Sequence, residues 1–200
     1  NNPDCEVVMA GHSLGEYSAL VCAEVICLAE AVKLVEKRGL YMQEAVPAGT
    51  GSMAAIIGLD DATIADVCTQ SAQEQIVSPV NYNSPGQVVI AGHKEAVTRA
   101  SEACKEAGAK RALPLSVSVP SHCALMKPAA DKLTVDLEQL AFNDAKVDVI
   151  NNVDVTVSCS EKEIKDALVR QLYSPVRWTE TFQKLATLGV TQAYEFGPGN

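Results

Sequence analysis

The chain has 200 residues, with 25 acidic against 16 basic side chains and a formal net charge of -9. That length suits one domain, or one carrying a small insertion, and the 48% hydrophobic and 20% charged composition excludes a disordered chain. No apolar run approaches the roughly 20 residues that a bilayer requires, and an acidic chain has no overall attraction for phosphate backbones, so neither membrane nor nucleic acid is an expected partner.

The N-terminus carries no initiator Met and no basic, then apolar, export signal, and it enters a strand almost at once over Cys5–Ala10. This reads as a cytoplasmic protein of which the chain is a piece. After Gly11-His12-Ser13-Leu14-Gly15 comes a helical stretch from Glu16 to about Ala23. A second helix is expected over Leu28–Ala45, with Leu28, Val32, Val35 and Met42 on an apolar seam. Arg38 falls close to that seam, where a charge is costly unless paired. The breaker at 47–51 is followed by a strand (Ser52–Ile57), a helix (Asp61–Ser71) and two strands (Val77–Tyr82 and Gln87–Ala91) flanking Asn83-Ser84-Pro85-Gly86. A helix (Lys94–Ala107) and a strand (Arg111–Val117) complete a βαββαβ order, the ferredoxin-like arrangement. Residues 49–118 therefore read as a small inserted subdomain, with 1–48 and 119–200 forming the larger one.

Beyond it, the pattern predicts a helix over Leu125–Leu140 and a buried strand over Lys146–Asn151. Ser160-Glu161-Lys162-Glu163 is a capping box opening a helix that ends near Tyr173. A further helix over Arg177–Leu188 precedes a last strand at Gln192–Phe196. Strands alternating with helices imply an α/β fold with a mostly parallel, α/β-hydrolase-like sheet. The seven cysteines form no CxxC pair and read as scattered buried thiols, and with only three histidines no metal site is expected.

Gly11-His12-Ser13-Leu14-Gly15 is a G-x-S-x-G pattern between an apolar strand and a helix, the setting in which Ser13 Oγ projects from a tight turn as a nucleophile. Glycine is wanted on both sides of Ser13, and the Leu14 N–H at the helix N-terminus is placed to bind a developing oxyanion. The serine needs a base. His12 is adjacent and diverges from it at a sharp turn. His93 opens a helix, where a surface or capping role suits it better. His122 lies in a junction loop, the favoured position for a catalytic group.

These residues carry a resemblance. Gly11–Tyr17, Arg38, Asn81-Tyr82-Asn83-Ser84-Pro85-Gly86-Gln87, Ser121-His122, the segment 171–178 and Gly197-Pro198-Gly199 together resemble the malonyl-CoA:acyl carrier protein transacylase family over essentially the whole chain. The resemblance implies transfer of malonyl from malonyl-CoA to the phosphopantetheine thiol of acyl carrier protein, for fatty acid biosynthesis. Ser13 would be the nucleophile, His122 the base, Leu14 the oxyanion donor and Arg38 the clamp for the malonyl carboxylate. The backbone carbonyl of Gln171 would orient the histidine, and no cofactor would be needed. Family members begin with a further region that supplies a second oxyanion donor, and they continue past the G-P-G motif. Acyl carrier proteins are acidic, so Lys37, Lys110, Arg111, Lys127 and Arg177 are candidates for a local docking patch.

Two other readings use the same turn. A serine hydrolase would place a late histidine, and none follows His122; a patatin-like Ser–Asp dyad would draw on Asp148 or Asp154. A non-catalytic carrier-protein docking module would leave Ser13 idle and would have no use for Ser13, Arg38 and His122 together.

Overall fold

The computed structural model describes residues 6–117, 119–158 and 160–197. In chain order its elements are β1 (Val8–Ala10), α1 (Leu14–Cys22), α2 (Leu28–Ala45), β2 (Gly51–Ile57), α3 (Asp61–Ala72), β3 (Val77–Ser84) and β4 (Gln87–His93). There follow α4 (Lys94–Glu106), β5 (Arg111–Pro114), a 3-10 turn at Ala124–Met126, α5 (Lys127–Glu138), β6 (Asp148–Ile150), α6 (Glu161–Gln171) and α7 (Trp178–Thr187).

Two sheets organise these elements. β1 and β6 pair in parallel, with Val8 opposite Asp148 and Ala10 opposite Ile150, so both strands end at the same edge. Around them α1, α2, α5 and α6 bury Leu20, Ile26, Leu34, Leu133, Leu137 and Leu168 in one core. The second sheet is antiparallel with order β3-β4-β2-β5, the ferredoxin-like strand order for this βαββαβ succession. Strand alternation explains its two faces. Ala54 and Ile56 of β2 point into a core with Ile64, Cys68, Val97 and Ala100 of α3 and α4, while Met53 packs with Val80, Val89 and Cys123 on the other face.

The β3–β4 connection is a two-residue turn in which Pro85 precedes Gly86 at φ 75°, a conformation that favours glycine. The edge of β3 is stitched to the segment before α7: the Val176 N–H donates to Val80 O at 2.9 Å and the Tyr82 N–H to Val176 O at 3.0 Å. The Ser160–Glu163 capping box forms as expected, with each side chain accepting from the other residue's N–H.

Several expectations need correction. The buried stripe of α2 is Ala31, Leu34, Arg38 and Met42, whereas Leu28 and Val32 are exposed. The seam is turned so that small Ala31, not Val32, faces the core, and Arg38 lies in the same stripe. The first strand begins at Val8; Cys5 lies outside the described residues, as do Cys159, Pro198 and Gly199. β5 stops at Pro114, which has no N–H to donate. Residues 192–196 form no ladder with any described strand, and Tyr194 and Phe196 stand exposed. A strand needs a neighbour for its backbone groups, and none of the described strands lies alongside. Cys22 and Cys27 are exposed rather than buried. Among the described residues, no helix is long and apolar enough to cross a membrane.

Leu133, fully buried on α5, anchors the larger core. Leu133→Ala should lower stability by about 3 kcal/mol. For a domain of this size that lowers the melting temperature by roughly 6–12 °C. A shift under about 2 °C in a thermal melt would contradict this account of the core.

Candidate active site

The site begins with the turn from β1 to α1. A Cβ at Gly11 would lie 2.0 Å from Gly15 C and O, so only glycine lets the chain fold back so closely. A Cβ at Gly15 would meet nothing within 4 Å, so the expected need for glycine on both sides of Ser13 holds only at Gly11. Ser13 sits at φ 50° and ψ −105°, an uncommon conformation for any side-chain-bearing residue. It turns Oγ out of the strand end.

His122 reaches Ser13 from the loop before α5. Its Nε2 lies 2.8 Å from Ser13 Oγ, and its Nδ1 lies 2.6 Å from the backbone O of Gln171. A carbonyl only accepts, so Nδ1 carries the hydrogen and Nε2 is left to accept from the serine hydroxyl. His122 adopts φ 63°, and its own N–H donates to Leu172 O at 3.0 Å. The end of α6 therefore grips both ring and backbone.

Arg38 enters from α2. One of its Nη atoms donates to Ser13 Oγ at 3.1 Å and to the side-chain Oε1 of Gln171 at 3.2 Å, and its guanidinium lies 5.7 Å from the Tyr17 ring centroid. Arg38 Nε and the Tyr17 hydroxyl are buried, neither with a hydrogen-bond partner among the described residues. Leu14, first residue of α1, presents one of the four N–H groups that a helix leaves without an internal acceptor. The structure thus brings Ser13, Leu14, Arg38, His122 and Gln171 together.

Burial, assisted by the charge of Arg38, pushes the His122 ring down to about 3, so it is neutral at physiological pH and free to accept a proton. Glu16 is buried three residues after Ser13, and desolvation raises its carboxyl to about 7. Its partners are Asn152 and Gln171. The Asn152 N–H and the Gln171 Nε2 both donate to Glu16 Oε2 at 2.9 Å.

The other histidines are engaged elsewhere. His12 Nε2 meets Asn83 Oδ1 at 2.9 Å, and its ring lies edge-on to Trp178. His93 forms no side-chain cap; its Nδ1 accepts from the Ile76 N–H at 2.9 Å. Neither nominated aspartate meets Ser13. Asp148 starts β6, at the opposite end of the strand from the serine, and Asp154 is held by both Nη atoms of Arg170 at 2.9 and 2.6 Å. Among the described residues, no group of three or more His, Cys, Asp or Glu side chains could hold a metal ion.

Comparison with known proteins identifies the family. The model of the acyl transferase domain family matches residues 5–194. The chain is 69% identical over 192 residues to the malonyl CoA-acyl carrier protein transacylase of Escherichia coli K12, and 51% identical over 191 residues to that of Bacillus subtilis 168. These alignments cover 96% and 95% of this chain but 62% and 60% of the relatives, so the chain spans about three-fifths of their length. Among solved structures it superposes with TM-score 0.97 and 64% identity on a complex of a type II PKS acyl-carrier protein with its malonyl-transacylase, covering 99% of this chain and 64% of that one. An acyl carrier protein S-malonyltransferase from Vibrio cholerae O1 gives TM-score 0.90 at 67% identity, covering 92% and 60%.

The two perturbed groups act oppositely on stability. Between about 3 and 6.5 the unfolded chain binds a proton at His122 that the fold refuses, so this contribution falls on acidification. Between 4.5 and about 7 the fold holds a proton on Glu16 that the unfolded chain releases, so this one rises on acidification. In the overlap they offset each other. Denaturant midpoints of His122→Gln should therefore rise relative to wild type as pH is lowered from 7 to 4.5; parallel profiles would contradict the assignment.

Proposed function

The chain belongs to the acyl transferase domain family, and from that premise we propose that it carries malonyl from malonyl-CoA to acyl carrier protein through a malonyl-Ser13 intermediate. Ser13 Oγ attacks the thioester carbonyl as His122 Nε2 takes its proton, and the Leu14 N–H holds the oxyanion. Collapse expels the coenzyme A sulfur, which takes the proton from His122. The phosphopantetheine thiol then attacks malonyl-Ser13 with the same histidine as base, and Ser13 recovers its proton. No cofactor is required. The reading places the activity in cytoplasmic fatty acid synthesis, with residues 49–118 as a smaller unit inserted between 1–48 and 119–200.

The observation that carries this reading is the buried guanidinium of Arg38 within 3.1 Å of the nucleophile. Among the described residues no carboxylate within hydrogen-bond reach offsets it, and its Nε has no hydrogen-bond partner. A planar fork with a vacant donor suits a carboxylate on the acyl group, as malonyl has and acetyl lacks. Burial is the main cause of the low basicity of His122 and the cation adds to it, so an incoming carboxylate that neutralises Arg38 would offset the cation's share. A hydrolase of neutral esters gains nothing from such a group.

Relatives include a malonyl-transacylase in complex with an acyl-carrier protein. For that partner, Lys110, Arg111 and Lys127 are exposed, whereas Lys37 is paired with Asp136 and Arg177 with Glu180. The docking patch therefore reduces to the first three.

Arg38→Ala should lower kcat/KM for malonyl-CoA about 100-fold, the equivalent of roughly 3 kcal/mol for a severed charge pair. Acetyl transfer should be retained or raised, since His122 is relieved of the cation. Equal losses for the two thioesters would show that Arg38 is only structural.

A further inference from the structure

We propose that Asn152 and Glu16 are positioning residues that hold the Ser13 backbone in its reactive conformation. The inference deepens the reading of Ser13 as an acyl-accepting nucleophile and rests on it.

The starting point is register. Ala10 lies opposite Ile150, so the residues just past each strand meet at one sheet edge, and Asn152 arrives beside the 11–13 turn. Its Oδ1 accepts from the Ser13 N–H at 2.7 Å, and its Nδ2 donates to Gly11 O at 2.8 Å. One amide thus spans the turn and fixes both of its arms. The carbonyl of Ser13 is held as well, accepting from Gln171 Nε2 at 3.1 Å and from the Glu16 N–H at 3.1 Å. Both backbone groups of the nucleophile are therefore tied down, which an uncommon conformation costing about 1–3 kcal/mol requires.

Glu16 holds the backbone that carries the Asn152 side chain and the side-chain amide of Gln171. Its Oε2 accepts from the Asn152 backbone N–H and from Gln171 Nε2. Glu16 is 2% exposed, and Asn152 and Gln171 are fully buried. A buried carboxyl at this position adds no packing advantage over an apolar side chain, and its desolvation is unfavourable. Its return is orientation: with that oxygen occupied by two donors, Asn152 presents Oδ1 to Ser13 and cannot rotate without leaving buried groups unsatisfied. Neither residue reaches the serine hydroxyl, so both act through the backbone.

The test uses the full-length protein with Asn152→Ala, Glu16→Ala and Glu16→Gln, reading three quantities for each. These are the labelling rate of Ser13 by a fluorophosphonate, kcat and KM with malonyl-CoA, and the thermal melt. A displaced nucleophile is expected to lose about 100-fold in labelling rate and kcat for Asn152→Ala and Glu16→Ala. KM should change by less than about threefold, because Arg38 is untouched, and Glu16→Gln, which keeps the acceptor oxygen, should stay within about threefold of wild type. Labelling and kcat near wild type in a folded Asn152→Ala or Glu16→Ala variant, whatever its melting temperature, would overturn the proposal. So would Glu16→Gln as impaired as Glu16→Ala, or loss of cooperative melting in both alanine variants, which would mark a purely structural role. Wild-type protein that reacts with the fluorophosphonate but takes no malonyl counts against the proposed acyl donor and leaves this inference standing.

Discussion

The geometry of the site depends on a single buried amide, Gln171, the last residue of α6. Its backbone oxygen fixes the tautomer of His122, its side-chain oxygen accepts from Arg38, and its side-chain nitrogen donates to Ser13 O, Glu16 and Asn152. His122, Ser13 and Arg38 come from parts of the chain distant from α6, yet each is hydrogen-bonded to this one residue. A residue with both donor and acceptor capacity on one short stem is needed, and no aspartate could serve both Arg38 and Glu16. The placement of α6 then matters as much as the turn. Arg170, the neighbouring residue, pins that helix end to the loop after β6 through Asp154.

The electrostatic balance follows from the same arrangement. Two groups of opposite charge, Arg38 and Glu16, are buried within one network but are separated by the Gln171 amide rather than paired directly. Arg38 is left without a directly paired carboxylate among the described residues, and Glu16 is raised by desolvation into the neutral range. His122 is kept neutral by burial and by Arg38, the protonation state that its proposed role as base requires. A direct Arg–Glu pair would quench the cation and with it the discrimination between acyl groups proposed above.

Much of this was legible in the sequence, for identifiable reasons. Ser13 stands out as the candidate nucleophile because its turn demands glycine at position 11 and has a strand and a helix on either side. Nearly all helices were readable from period and caps, as at Ser160 and Glu163. His122 was favoured only by its junction loop. The tasks of Arg38 and Gln171 came from resemblance, since nothing local distinguishes a clamp from a snorkelling arginine. Glu16 and Asn152 were missed: an acid in the first turn of a helix usually faces solvent, and their contact spans 136 positions through a β1–β6 register that no local pattern encodes. The last expected strand failed for a related reason, because alternation specifies a strand's faces but not its neighbour.

The central claim is that Ser13 takes up malonyl and yields it to a carrier thiol rather than to water. Mass spectrometry of the full-length protein after brief exposure to malonyl-CoA addresses it directly. The account predicts one malonyl group on the Ser13 peptide, persistent in buffer and discharged when phosphopantetheinylated acyl carrier protein is added. No adduct at Ser13, or an adduct lost to water as fast without the carrier as with it, would contradict the account.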